Sequence, residues 1–187
     1  MRDARINMIG EGANDVLRVF SALVGMRDVG LELESILNAI KSPLGNLTKL
    51  GHFAGRQFGS LFVSPQVYVS SNLLEDDAGR LARTVASLGK HVKRLLATYQ
   101  KDILDAQHQL GRVADTAIEL YVSACVLGRM DQMLRRGKLS AQQQRFELAT
   151  GRYYLKTAQR RMQGNMKALW DNDDQLTNEL ANMLLKR

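Results

Sequence analysis

Proline is nearly missing: 187 residues contain only Pro43 and Pro65, and aromatic residues make up just 6%. Proline breaks helices by removing an N–H and clashing with the preceding turn. Long stretches without it favour helices over a sandwich or barrel. The single cysteine, Cys125, excludes an internal disulfide. Its place in an apolar run predicts a buried small hydrophobe in a reducing compartment. A secretory leader is not expected, because the charged opening Met1 to Arg5 is followed by no apolar core segment. No apolar run approaches the roughly 20 residues of a spanning helix, since the longest, Ile118 to Leu127, contains Glu119. The three histidines, His52, His91 and His108, lack helical ligand spacing, and no Glu-x-x-His pair exists. No metal is therefore expected. Nor do these few groups assemble a Ser/His/Asp or Cys/His arrangement. A dinucleotide fingerprint, a P-loop, an internal repeat and a low-complexity tract are also missing.

What is present suits one domain or one and a half. Hydrophobic residues make up 45% and charged residues 24%, enough for a real core. The formal net charge is +7 with a pI near 9.8. That balance attracts nucleic acid, acidic headgroups or phosphate-bearing cofactors without choosing among them.

Apolar residues recur at three- and four-residue steps along most of the chain, which predicts an all-α, up-and-down helical bundle. Asn14 and Asp15 read as an N-cap and a first-turn acid for a helix carrying Val16, Leu17, Val19, Phe20, Leu23 and Val24. Gly25 and Gly30 are positions where that helix can be interrupted. A second stripe from Val29 to Ile40 ends at Ser42-Pro43, and a third runs from Leu44 to Leu61. Residues 63 to 76 read as a connection. The pattern from Asp77 to Gly137 is too long for one helix in a compact domain, so a break is expected between Tyr99 and Asp105. Gly137 and Ser140 then mark a C-terminus and the cap of a helix from Ala141 to about Leu169. A short last helix starts at Asn172 or Asp173, with Leu176, Leu180, Met183 and Leu184 expected inward.

Arg2, Asp3, Arg5, Ile6, Glu11, Gly12, Ala13, Asn14, Asp15, Val16, Leu17 and Arg18 stand in one order. This opening resembles the end of the catalytic region of acyl-CoA dehydrogenases, which carry Arg-Asp-X-Arg-Ile followed by Glu-Gly-Thr-Asn-Glu/Asp, a hydrophobic pair and Arg. The resemblance continues, more weakly, through most of the chain and points to the C-terminal portion of the very-long-chain type. Lys41 to Asn46 is similar to that branch's early junction. Gln109 to Arg129, with Arg112-Val113-Ala114-Asp115 and Ile118-Glu119-Leu120-Tyr121, is similar to its later long helix. The resemblance divides the chain into residues 1–25, the end of the catalytic helical domain, and 26–187, an extra C-terminal helical domain.

That family inserts a trans double bond between the α and β carbons of an acyl-CoA thioester during fatty acid β-oxidation. It uses FAD and passes electrons to an electron-transferring flavoprotein. The resemblance makes Glu11 the base that removes the α proton. Such a base needs a dry pocket, which also raises a carboxylate's pKa toward the working range. It implies that Gly12 lines the acyl-CoA site, and that Ala13, Asn14 and Asp15 lie against FAD near a helix N-terminus that favours phosphate. Ala13 departs from the family, which usually has Thr there, so a hydroxyl that bonds the flavin or caps the helix is missing. By residue type alone, Glu11 reads as a solvated acid near a helix start. Most FAD and CoA contacts of the family lie in regions that this sequence does not contain. The chain alone is therefore expected to be inactive, as a fragment, a truncated product or a separate subunit.

The branch is associated with the inner mitochondrial membrane. The resemblance thus implies the matrix side of that membrane in a eukaryote and the cytoplasm in a bacterium, and a homodimer. Residues 41–62 pair an apolar face, Leu44, Leu47, Leu50, Ala54 and Phe58, with Lys41, Lys49 and Arg56. This suits peripheral membrane contact, or an ordinary amphipathic helix facing the core, which the residues favour. Arg152, Lys156 and Arg160 form a basic stripe that reads as a solvated face, so no nucleic acid is expected. Met130, Met133, Leu134, Met162 and Met166 read as core filling or as a protein-binding surface. The alternative function is accordingly a stand-alone, non-catalytic helical interaction module.

Overall fold

A computed structural model describes residues 13–41 and 65–186, with the side chains of 35–41 set apart. Among the described residues there are five α-helices and no strand. They are α1 (Asn14–Lys41), α2 (Glu75–Tyr99), α3 (Gln107–Arg136), α4 (Ala141–Ala168) and α5 (Asp174–Leu185). Short 3-10 turns occupy Asn72–Leu74 and Gln100–Leu104. The all-α bundle expected from the periodicity is the observed architecture.

The junctions follow local chemistry. α2 ends where Gln100 takes φ 49°, an unusual value for a residue with a side chain. The chain then turns through Gln100–Leu104, inside the expected break. α3 ends at Gly137, whose φ of 59° lies in the left-handed region that glycine adopts without steric cost. α4 opens on a reciprocal cap: the Gln143 N–H donates to Ser140 Oγ at 3.3 Å, and the Ser140 N–H donates to Gln143 Oε1 at 3.0 Å. A left-handed glycine and a capping box three residues apart reverse the chain, laying α4 along α3.

α2, α3 and α4 pack together, and α1 crosses α2 and α3 near the 3-10 turn that joins them. One core cluster joins Ala22 and Met26 of α1 to Leu95, Ile103, Leu110 and Val113. A second joins Leu74, Ala78 and Leu81 to Leu127 and Met130, and a third holds Ala158, Met162 and Met166. Met130, Met162 and Met166 therefore fill the core. The extended residues before α2 are pinned by Asp131 of α3, whose Oδ1 accepts the N–H groups of Ser70 and Ser71 at 2.9 and 3.0 Å.

Several expectations fail. α1 runs unbroken through Gly25 and Gly30. A glycine costs a helix only about 1 kcal/mol, and Ala22 and Met26 are anchored in the core. Cys125 is exposed, because α3 is apolar on both faces and the cysteine falls on the outer one. α5 has no buried residue, and Leu176, Leu180, Met183 and Leu184 are 58–67% exposed. Its polar side faces the bundle instead: Arg112 of α3 donates two hydrogen bonds to Asp174, each at 2.6 Å, and Gln109 Nε2 adds a third at 2.9 Å.

Candidate functional site

Glu11 and Gly12 lie outside the described residues, so the site is built from Ala13 onward. The carbonyl of Ala13 accepts the Leu17 N–H at 3.0 Å, which closes the first turn of α1. Ala13 therefore holds the cap position, and Asn14 is the first helical residue rather than the cap expected for it. An alanine contributes no side-chain oxygen there, so the first N–H groups of α1 gain no side-chain acceptor from the cap. Ala13, Asn14 and Asp15 are all exposed.

One turn on, Arg18 binds two acids. Its Nη1 donates to Asp15 at 3.3 Å, and its Nη2 donates to Asp115 of α3. The hydrogen bond to Asp115 is the main cause holding the Arg18 guanidinium above its ordinary pKa, against an opposing cost of burial. Arg18 closes the opening motif, and Asp115 closes the Arg112-Val113-Ala114-Asp115 stretch. The two segments singled out in sequence thus meet across 97 residues. Their identities marked both stretches, but nothing in the spacing pointed to the pair.

The pair stands in a cleft of about 800 Å³. Val16, Val19 and Phe20 of α1 form its apolar wall, while His108, Arg112 and Asp115 of α3 form a polar one. Asn178 of α5 reaches the same cleft, and its Oδ1 lies 3.4 Å from His108 Nε2. Asp174 is held below its ordinary carboxylate pKa, chiefly by the Arg112 hydrogen bonds. This end of the molecule therefore presents the exposed N-terminus of α1, with Asp15 countered by Arg18 beside it, and a charged wall fixed by ion pairs.

Other polar groups play structural parts. Trp170 Nε1 donates to His91 Nδ1 at 2.8 Å, and the Arg94 guanidinium lies 3.9 Å from the Trp170 ring centroid. Burial first, and Arg94 second, push the His91 pKa down. Glu119 accepts from Arg161 Nε at 2.6 Å and from the Tyr154 hydroxyl at 3.0 Å, tying α3 to α4. The basic stripe is divided: Arg152 binds buried Asp77 at 3.2 Å, whereas Lys156 and Arg160 are exposed. Among the described residues no cluster of His, Cys, Asp and Glu could hold a metal ion, and no helix is long and apolar enough to cross a membrane. Residues 42–62, most of the segment expected to reach a membrane surface, lie outside the described residues, as does His52.

The family profile described as "ACAD9/ACADV, C-terminal domain" matches residues 72–185. The very long-chain specific mitochondrial acyl-CoA dehydrogenase of Bos taurus is 34% identical over 179 residues, covering 94% of this chain and 27% of the bovine protein. The enzyme of that name from Mus musculus is 38% identical over 157 residues, and that from Homo sapiens 36% over 149. Each alignment covers 78% of this chain and 23% of the relative. The chain thus spans about a quarter of the length of these relatives.

Proposed function

Because the chain belongs to the ACAD9/ACADV C-terminal domain family, as the C-terminal portion of a very-long-chain-type acyl-CoA dehydrogenase, we propose that it supplies the catalytic base and a docking domain to the full-length enzyme. The reaction is the oxidation of a long-chain acyl-CoA to its trans-2-enoyl-CoA. The supporting observation is the ordered motif from Arg2 to Arg18, whose last residue is bound to the helical domain through Asp115.

In this reading Glu11 takes the α proton of the thioester, Gly12 gives the acyl-CoA a close approach to backbone, and Ala13, Asn14 and Asp15 border the flavin. FAD, when bound, supplies the acceptor for the β hydride. The residues present fit an edge of such a group. The N–H groups at the start of α1 favour a phosphate-bearing ligand, and Arg18 offsets the charge of Asp15. Among the described residues the contribution is positional: the Arg18–Asp115 pair ties the first turns of α1 to α3. Electron-transferring flavoprotein as acceptor, a homodimer, the mitochondrial matrix face in a eukaryote and the domain division at residue 25 belong to the same reading.

The test is flavin reduction by a long-chain acyl-CoA, with the 187-residue chain alone and mixed with a polypeptide carrying the remaining dehydrogenase domains. Activity only in the mixture, lost by at least about 10³-fold in Glu11→Gln, is the expected result. Activity of the chain alone refutes the division of labour, and a mixture indifferent to Glu11→Gln refutes the base.

A second reading, a non-catalytic interaction module, is favoured by the outward apolar side of α5. Membrane docking through residues 41–62 is tested by co-sedimentation with anionic liposomes. Pelleting that Leu47→Asp leaves intact removes that segment from the account.

A further inference from the structure

Between α2, α3 and α4 lies a half-enclosed cavity of about 250 Å³. Its inner wall is apolar: Leu81 and Met162 are buried, and Leu155 is half-buried. Besides the basic residues, buried Asp77, half-buried Gln159 and Ser123 are the polar groups of the lining. Ser123 lines the cavity, is 1% exposed, and its Oγ has no hydrogen-bond partner. A serine inside a helix commonly donates to the carbonyl four residues back, as Ser21 does to Leu17 at 2.7 Å. A buried hydroxyl left unsatisfied costs about 1–3 kcal/mol, but this one lies too deep for a water-sized group in the cavity to touch, so what the cavity offers a ligand is its apolar wall and its rim.

The rim carries the opposite chemistry. Lys156 and Arg160, one turn apart on α4, are exposed and border the cavity. Among the described residues neither pairs with an acid; Arg160 touches only the Thr157 hydroxyl, at 3.5 Å. The one acid in the lining, Asp77, is already occupied by Arg80 at 2.5 Å and Arg152 at 3.2 Å. The rim therefore keeps surplus positive charge next to an apolar wall.

We infer that this cavity binds a small organic anion, a short-chain monocarboxylate whose carboxylate lies between Lys156 and Arg160 and whose apolar body enters toward Leu155 and Met162. Size agrees with this class. A dry protein cavity of about 150 Å³ takes up benzene, so 250 Å³ admits a body somewhat larger. Inorganic phosphate would satisfy the rim but leave the apolar floor uncovered. A neutral alcohol would cover the floor but ignore the rim.

The experiment follows the Met162 ε-methyl resonance of the 187-residue chain during titration with sodium pentanoate. Parallel titrations use pentanol, pentylamine and inorganic phosphate. Pentanoate is expected to shift the Met162 signal saturably, with pentanol at least about tenfold weaker and the other two without effect. The Lys156→Glu/Arg160→Glu variant changes only exposed residues and keeps the fold testable. It is expected to weaken pentanoate at least about tenfold while leaving pentanol unchanged. The inference is overturned if no organic probe moves Met162. It is also overturned if pentylamine or phosphate binds as well as pentanoate, or if the charge-reversed rim binds pentanoate unchanged.

Discussion

Ala13 closes the first turn of α1 with its carbonyl but leaves the cap without a side-chain acceptor. Thr is the residue common at this position in the resembling family, and a threonine hydroxyl at a cap accepts an N–H of the first turn. Ala13→Thr is therefore expected to stabilise the chain by about 0.5–2 kcal/mol, read as a higher urea midpoint at unchanged slope. An unchanged or lower midpoint would show that Ala13 is not the effective cap. Cys125 teaches a different lesson at the same scale. Its neighbours Val122 and Val126 made the run look like interior, yet periodicity marks an apolar surface without saying which of two apolar faces is covered. Glu11 and Gly12 were legible as chemistry only through the ordered motif around them. Pairings such as Arg18 with Asp115 could not be read at all, because they depend on how helices cross.

At the scale of elements, α4 lies close against the Met130 side chain of α3 at Gly151. A methyl group there would lie 2.3 Å from the sulfur of Met130, 3.0 Å from its Cγ and 3.2 Å from its Cε. Met130 is itself buried and has little room to yield. Gly151→Ala gains about 1 kcal/mol of helix propensity, but the overlap opposes it at about 1–3 kcal/mol. A net loss of stability is expected. In combination with Met130→Ala the loss should be smaller than the sum of the two single changes, as a double-mutant cycle on urea midpoints would show. Full additivity would place the strain elsewhere. α5 offers the complementary case. The sequence placed its start at Asn172 or Asp173, and the helix runs over Asp174–Leu185 with Asp173 before it, but its orientation was not legible. The apolar stripe suggested an inward face, whereas Asp174 and Asn178 make the contacts. The folded pKa of Asp174 is depressed, so its contribution is present above its ordinary value of 3.8 and is lost as pH falls through the lower folded value. Asp174→Asn should free α5 at neutral pH. Amide hydrogens of 174–185 are expected to exchange at least about tenfold faster while those of α3 keep their protection. Unchanged exchange in α5 would mean that other contacts hold it.

For the whole molecule, acid should act in two stages. His91 is pushed below its ordinary 6.5 by burial and by Arg94, so the folded state resists its protonation while the unfolded state accepts it. Stability conferred by neutral His91 is then complete above about pH 6.5 and declines as pH falls toward the lower folded value. Glu119 and Asp174, both depressed by arginine partners, add a second decline below their ordinary 4.5 and 3.8. The urea midpoint should fall between pH 7.5 and 5.5 in the parent chain and stay nearly level in His91→Phe. Parallel declines in both would assign the first stage to other groups. The bundle itself was legible because scarce proline, long three- and four-residue steps, Gly137 and Ser140 all agree. The cavity beside Ser123 was not, since no spacing reveals where three helices fail to meet.

The Arg18–Asp115 pair joins residues 97 apart, whereas α3 and α4 are linked by a turn of only a few residues. Chain entropy penalises long loops more than short ones, and contacts close in sequence form sooner. Assembly is thus expected to begin with the α3–α4 hairpin and to finish when α1 docks. The expected order of opening is the reverse, so among the helices with buried residues α1, which lies just beyond Glu11 in the sequence, is expected to come loose first on warming.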